Sequence, residues 1–373
     1  MAESVNKIEI DLSALRHNFQ AIKKVIGSAV KVMAVVKADA YGHGMIPVAG
    51  ELSRLDTAAF GVAEVWEGTA LRRAGIKEDI VVFLGCRPGE TAEVVSSGLS
   101  PVVFEKQTID ELSRRSLAVG RRTGVHLKID TGMGRLGITA AEAVPFLRHL
   151  KELEGIYLAG IMSHPPMADN EDPTLTREQN KIFAGIVESS QEIIPESAAH
   201  IANSAALIRF PELRWNMVRP GLALYGCYPA DDFGKLIALK PVMSFKTRVI
   251  QVRETAEGCG VSYDHKFITS RPSRLAALPI GYHNGYLRGL SNRGQVLVQG
   301  CRAPVVGRVC MNITMIDVTD IPGVAVNDEV VVMGRQGSEE IRAEELAEWL
   351  GTINYEILCL LGNNNQRHYI NKL

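Results

Sequence analysis

Between about residues 10 and 235, short apolar runs rich in β-branched residues alternate with stretches whose apolar positions keep helical spacing. Eight runs stand out: KVMAVVK (31–37), AAFGVA (58–63), IVVFLG (80–85), SPVVF (100–104), GVHLKID (124–130), GIYLAGIMSH (155–164), AHIANS (199–204) and MVRPG (217–221). Segments such as EVWEGTALRRAG, where Val65, Ala70, Leu71 and Ala74 keep helical spacing, and TLTREQNKIFAGIVESSQEII predict the helices between them. Eight such alternations are the pattern of parallel βαβ units and predict an α/β fold, a (β/α)8 barrel of the TIM type. After Leu239 the texture changes: FKTRVIQVRE, RLAALPI, GQVLVQ, APVVGRV, ITMIDV and DEVVVMG are separated by Gly, Pro and Asn, which predicts a mainly β C-terminal domain. IRAEELAEWLGTINYEILCLL then supplies two short helices. The expected division is a barrel over 10–238 and a β-rich unit over 239–373, with the first ten or so residues free to pack with the latter.

Composition narrows the chemistry. At 373 residues, 46% hydrophobic and 22% charged, the chain is long enough for two such units. A formal net charge of −1 and the absence of a Lys/Arg block give no electrostatic case for nucleic acid or an anionic membrane. Six scattered cysteines without a C-x-x-C pair make disulfides and zinc poor expectations. The first residues, MAESVNK, carry Glu3 and no apolar leader core, and no run of about 18 apolar residues occurs, so the expected compartment is the cytoplasm. A small molecule is the expected partner.

Lys37 closes the apolar run of the first strand, where an ammonium is costly. In a parallel barrel the reactive groups come from the C-terminal ends of the strands. A lysine desolvated there loses proton affinity and becomes a nucleophile that forms a Schiff base with an aldehyde; a lysine snorkelling to the rim is the alternative that position alone leaves open. Asn203 and Ser204 follow the seventh strand as a helix cap, and Arg219-Pro220-Gly221 follow the eighth. Those two loops are the usual phosphate pocket of such barrels. Lysine and phosphate cradle together suggest pyridoxal 5'-phosphate. Arg219 can only donate hydrogen bonds, so facing the pyridine nitrogen it would keep that nitrogen unprotonated and the ring a weak electron sink, which suits simple proton exchange.

The segments VVKADAYGHG, KIDTGMGRLG, HIANSAAL, VRPGLALYG, GVSY, GYHNGY, GRVCMN and TINYEILC, in this order, resemble the alanine racemase family over nearly the whole chain. The resemblance implies a homodimer of barrel and β domain that interconverts L- and D-alanine for peptidoglycan, with each active site completed by the partner chain. By matching position it implies that Lys37 carries the cofactor, that Tyr41, Ser204, Gly221 and Tyr355 contact its phosphate, that Arg219 faces the pyridine and that His164 lies beside the ring. It places Tyr263, from the partner, as the second base opposite Lys37, with Arg135 and His164 stabilising its phenolate. Lys128 matches a carbamylated lysine that holds Arg135, the plain alternative being an ordinary Lys128 paired with Asp130. Substrate carboxylate would meet Arg135 and the backbone N–H of Met311. Asp169, Tyr282, Arg288, Arg308 and Ile353 match residues of the substrate entrance. The chain departs from the family at Asn284 and Asn312, where Asp is usual, which predicts two missing charges near the entrance, and at CLLGNNNQRHY, where only Arg367 of the arginine pattern remains. A racemase of broader range, acting for example on serine, and a cofactor carrier without turnover stay open as rivals.

Overall fold

In the computed structural model, which describes residues 4–195 and 197–372, the first unit is a ring of eight parallel strands. They are Lys31–Val35, Ala59–Val62, Asp79–Val82, Ser100–Val103, Thr123–Lys128, Ile156–Met162, Ala198–His200 and Met217–Val218. Each of the first six pairs with the next in sequence, and the first also pairs with the eighth. Between the seventh and eighth the ladder gives way to two bonds. The Asn216 side chain accepts from the Ala199 N–H at 2.7 Å, and the Ala202 carbonyl accepts from the Arg219 N–H at 2.9 Å. The expected barrel is therefore present and nearly closed, with its seam at the strand that leads into Arg219.

Strands covered on both faces need apolar side chains throughout, which is why the sequence runs are unbroken rather than alternating. Met33, Ala59, Val81, Val102, Met162 and Met217 form a cluster of their own, separate from the large core. The strands end earlier than the apolar runs do: the first stops at Val35 and the eighth at Val218, because Lys37 has entered a turn and Pro220 has no N–H to give to a ladder. Helices Val65–Arg73 and Thr174–Ile193 stand where helical spacing placed them.

The second unit is mainly β. Its largest sheet runs Cys301–Pro304, Gln295–Val298, Glu329–Gln336, Met243–Arg248, Lys7–Asp11, Arg367–Ile370, so the early strand Lys7–Asp11 lies inside it, antiparallel to Met243–Arg248 and parallel to Arg367–Ile370. A three-stranded sheet (Gln251–Thr255, Ser273–Leu278, Thr314–Asp317) and a small ribbon, Gly260–Val261 with Phe267–Ile268, complete it. Helix Asn354–Asn363 lies on the barrel at backbone distance: a Cβ on Gly362 would stand 2.0 Å from the Gly42 carbonyl oxygen, and one on Gly42 would stand 2.5 Å from that of Leu358. Among the described residues no helix is long and apolar enough to cross a membrane. Glu3, used above in reading the N-terminus, lies outside the described residues.

Candidate active site

Lys37 sits two residues beyond its strand, at the entry to a left-handed turn. Ala38, Asp39, Ala40 and Tyr41 all have φ between 52° and 56°, a conformation that costs an L-residue about 1–2 kcal/mol each. Distant side chains hold it. Glu67, almost wholly buried, accepts from the Ala38 N–H at 2.7 Å with one oxygen and from the Ala63 and Glu64 N–H groups with the other. Asp39 accepts from the Met45 N–H at 2.6 Å and from Arg367 Nη1 at 2.5 Å, and Arg367 also donates to the Gly42 carbonyl. His43 Nδ1 lies 2.9 and 3.0 Å from the Ala40 and Tyr41 carbonyls, so the proton is on Nδ1 and caps the turn. Tyr225 stacks on His43 and donates to the Val35 carbonyl. The amine of Lys37 is held below its ordinary proton affinity, first by burial and then by the positive charge of Arg135.

Arg219 is buried at the seam. Nη1 donates to the His200 carbonyl at 2.7 Å and to His200 Nδ1 at 2.9 Å; Nη2 donates to the Ser163 and Ile201 carbonyls at 2.6 and 3.1 Å and lies 3.4 Å from His164 Nδ1. Among the described residues no hydrogen bond uses Nε, which leaves that N–H as the free donor of a fixed fork. Burial draws the guanidinium down to about 9, still charged at neutral pH. His164 and His200 are pushed well below the ordinary histidine range, by burial first and then by Arg219, so both are neutral.

Lys128, buried in the fifth strand, is pushed well below its ordinary value by burial and by Arg219 and Arg135. No carboxylate forms a salt bridge with it among the described residues. Asp130, the partner considered above, is engaged elsewhere: its oxygens accept from the Gly132, Met133 and Gly134 N–H groups and staple the loop that carries Arg135.

The phosphate-side residues also converge. Tyr41 and Tyr355 face each other with ring centroids 5.6 Å apart, and a Cβ on Gly221 would stand 2.5 Å from the Tyr41 hydroxyl, so glycine is what lets that phenol approach the backbone. Ser204 Oγ accepts from the Gly221 and Ala223 N–H groups at 3.0 and 3.2 Å, and Asn203 caps helix Ser204–Arg209 through the Ala206 N–H. Burial raises both phenols, Tyr355 to about 12, so they keep their protons and donate.

A second group of site residues gathers elsewhere in the same chain. Tyr263 is 70% exposed on the ribbon, and Ser262, Asp264 and His265 around it all have positive φ. Ser262 Oγ donates to the Arg308 carbonyl, Arg308 pairs with Asp264 at 3.4 Å, and the Tyr282 and His283 N–H groups donate to the Cys310 and Met311 carbonyls. A cavity of about 490 Å³ opens here, lined by Arg253, Ser262, Tyr263, Cys310 and Ile313 among others. Met311, Tyr282 and Arg288 are exposed, as is Ile353, which stands apart from this group at the start of helix Asn354–Asn363, close in sequence to Tyr355. Among the described residues no hydrogen bond, ion pair or ring contact joins this group to Lys37, Arg219 or the phosphate-side residues. Asp169 belongs to the barrel side, where its carbonyl accepts from Arg209 and its charge helps raise Tyr355.

Asn284 is buried: its Nδ2 donates to Asn365 Oδ1 at 3.1 Å, and Asn365 Nδ2 donates back to the Asn284 carbonyl at 2.8 Å. Two of the three departures from the family pattern, Asn284 and the C-terminal stretch at Asn365, therefore touch, and an amide pair ties the GYHNGY loop to the end of helix Asn354–Asn363. Asn312 is exposed. Glu67, His43, His126 and His200 escaped the sequence reading altogether; only the unusual placing of a Glu and a His beside apolar runs could have pointed to them.

The family model described as "Alanine racemase, N-terminal domain" matches residues 10–229, and "Alanine racemase, C-terminal domain" matches 242–369. The chain is 44% identical to an alanine racemase of Halothermothrix orenii, over 98% of this chain and 97% of that one, and 42% identical to one of Syntrophobacter fumaroxidans, over 98% and 97%. Among solved structures, alanine racemase of Clostridium difficile superposes with a TM-score of 0.93 at 34% identity, covering 99% of this chain and 97% of that one. The Bacillus anthracis enzyme with bound L-Ala-P gives 0.91 at 34%, covering 99% and 96%, and the Bartonella henselae enzyme with covalently bound pyridoxal phosphate 0.87 at 27%, covering 98% and 99%.

Proposed function

The chain belongs to the alanine racemase family, and from that premise we propose that it interconverts L- and D-alanine with pyridoxal phosphate on Lys37, using Tyr263 of a partner copy as the second base. The observation that carries the reading is the pairing of a desolvated amine on a rigid turn with a buried arginine whose one free donor is Nε. The residues present fit the cofactor: Arg219 Nε–H suits a ring nitrogen, and the protonated Tyr41 and Tyr355 hydroxyls, Ser204 and the open backbone at Gly221, with Asn203 capping the helix there, suit a phosphate. When bound, that group supplies an aldehyde carbon to which amines attach and a conjugated ring that accepts electron density from the α-carbon.

The protein's own part is to hold, orient and move protons. Lys37 Nζ, whose proton affinity burial lowers, would hold the cofactor and, once displaced from it by the substrate amine, would remove or return the α-proton on the D-side. Tyr263 Oη serves the L-side, with Arg135 and His164 as its stabilising neighbours. Arg219 Nε–H would face the ring nitrogen of a cofactor bound there and leave it unprotonated, because a guanidinium donates and does not release its proton. Arg135 and the Met311 N–H hold the substrate carboxylate, and Asp169, Tyr282, Arg288, Arg308 and Ile353 line the approach. Lys128, buried with its proton affinity pushed well down and with no carboxylate in salt bridge with it among the described residues, is suited to carbamylation, which would place an anion beside Arg135.

Separation of the Tyr263 group from the Lys37 group within one chain supports a homodimer with shared sites. The units would part between residues 238 and 239, and the product D-alanine would serve peptidoglycan in the cytoplasm. The test is D-alanine formation from L-alanine, with a panel of other L-amino acids to set the range. Lys37→Ala and Tyr263→Phe should each abolish it. Mixed in equal amounts by co-expression, the two variants should regain about a quarter of wild-type activity, since half the dimers then carry one intact site of two. No recovery would refute the shared site, and undiminished turnover by Lys37→Ala would refute the reaction.

A further inference from the structure

Below the Arg219 fork the barrel interior holds three polar side chains that the proposed chemistry does not use. His200 Nδ1 lies 2.9 Å from Arg219 Nη1, and His200 Nε2 lies 2.9 Å from His126 Nδ1. His126 Nε2, buried and without a hydrogen-bond partner, points toward Asp79 Oδ2 at 3.9 Å, beyond hydrogen-bond reach but close for a charge. Asp79 opens the third strand, and its other oxygen accepts from Ser100 Oγ at 2.7 Å. His200 and His126 are 0% and 2% exposed, whereas the Asp79 side chain is 42% exposed. Glycine makes the room: a Cβ on Gly160 would stand 2.5 Å from His126 Nδ1.

The proton positions along this line follow from chemistry. Arginine only donates, so His200 Nδ1 accepts. A neutral His200 then carries its proton on Nε2 and donates it to His126 Nδ1. Because His126 Nδ1 is the acceptor of that bond, the proton that His126 itself carries is on Nε2, aimed at the Asp79 carboxylate. The series is polar and points one way, from the seam toward a carboxylate at the opposite end of the strands.

We propose that Asp79, His126 and His200 are a positioning relay: they fix the acceptor that holds Arg219 Nη1, and through it the direction in which Arg219 presents Nε–H. None of the three touches the cofactor, and the functional half of the proposal rests on Arg219 facing the ring nitrogen as argued above. Reversal of either imidazole would set two donors face to face and break the line of bonds between Arg219 and His126.

Two readouts test it in the full-length protein. In apoprotein labelled with 15N-histidine, proton–nitrogen correlation spectra should show His200 and His126 protonated at Nε2 and bare at Nδ1. A His200 protonated at Nδ1 overturns the relay whether or not the protein racemises alanine. In holoprotein, His126→Leu should lower kcat about tenfold with KM changed less than about twofold, and should displace the absorption band of the lysine-bound cofactor. His126→Asn, whose amide oxygen can stand in for Nδ1 as acceptor, should recover most of both. Equal, small effects of Leu and Asn on kcat, with only the thermal midpoint lowered, would reduce the line to packing and overturn the proposal. If His126→Leu does not fold, Asp79→Ala is read by the same criteria. The expected tautomers in a protein with normal kcat in every variant would sink the link to the ring nitrogen alone.

Discussion

Replacing Glu67 by glutamine changes one oxygen of a buried carboxylate to an NH2 and keeps the shape. In the native protein both oxygens accept backbone hydrogen bonds, one from Ala38 and the other from Ala63 and Glu64. Glutamine has one acceptor oxygen, so whichever way the amide is turned a donor meets a donor. Turning its oxygen toward Ala63 and Glu64 satisfies two N–H groups and abandons that of Ala38. An unsatisfied buried N–H costs about 1–3 kcal/mol. The loss falls on a turn of four left-handed residues whose intrinsic cost is on the order of 4–8 kcal/mol, so local opening is the cheapest relaxation. Hydrogen–deuterium exchange on a peptide spanning residues 36–44 reads that opening directly. Protection should fall by about five- to 160-fold, the factor that corresponds to 1–3 kcal/mol. Cofactor binding should weaken in step, because Lys37 immediately precedes the turn and Tyr41 is its last residue. Exchange within about twofold of wild type in a folded Glu67→Gln protein would show that the turn does not depend on this carboxylate.

Asn284→Asp sets a carboxylate against Asn365 Oδ1 with no cation to take the place of the lost donor, and should lower stability to urea by about 1–3 kcal/mol; an unchanged midpoint would show that the amide pair contributes nothing. Gly362→Ala puts a methyl 2.0 Å from the Gly42 oxygen, so the helix bearing Tyr355 must lift; overpacking of this kind costs about 1–3 kcal/mol, and titration with pyridoxal phosphate should show weaker binding, unchanged affinity being the contrary result. His43 is lowered from 6.5 to about 4 by burial, so the unfolded chain binds its proton first as pH falls. Stability should therefore be intact above about pH 6.5 and decline toward about pH 4, by up to about 1.4 kcal/mol per pH unit from this group, with His164 and His200 acting in the same direction; a flat urea midpoint between about pH 7 and 5 would contradict the burial argument.

The barrel was legible because strands covered on both sides must be apolar throughout, and eight such runs separated by amphipathic stretches admit few other architectures. The positions of Lys37 and Arg219 were legible from the same rule, as polar residues at the ends of apolar runs. The turn after Lys37 was not. Ala-Asp-Ala-Tyr contains no glycine, and its left-handed form is imposed by Glu67, Asp39 with Arg367, and His43. Seven of the twelve described non-glycine residues with positive φ lie either in that turn or around Tyr263, so strain collects in the two loops that carry the proposed bases. His126 and His200 were hidden for another reason: inside GVHLKID and AHIANS a histidine reads as a tolerated core residue, and only three dimensions bring the two within 2.9 Å. Nothing local in GYHNGY shows that Asn284 is buried against Asn365, a residue that only the fold brings to it.

Strand Lys7–Asp11 lies in register beside Arg367–Ile370, and Arg367 from that late strand grips Asp39 next to Lys37. On a ribosome the first of these strands emerges long before the second. The barrel can assemble in the meantime, but its amine-bearing turn lacks a clamp until translation reaches Arg367. Competence is thereby withheld from truncated products, and nicking just ahead of residue 367 should disarm the molecule while leaving most of its mass folded.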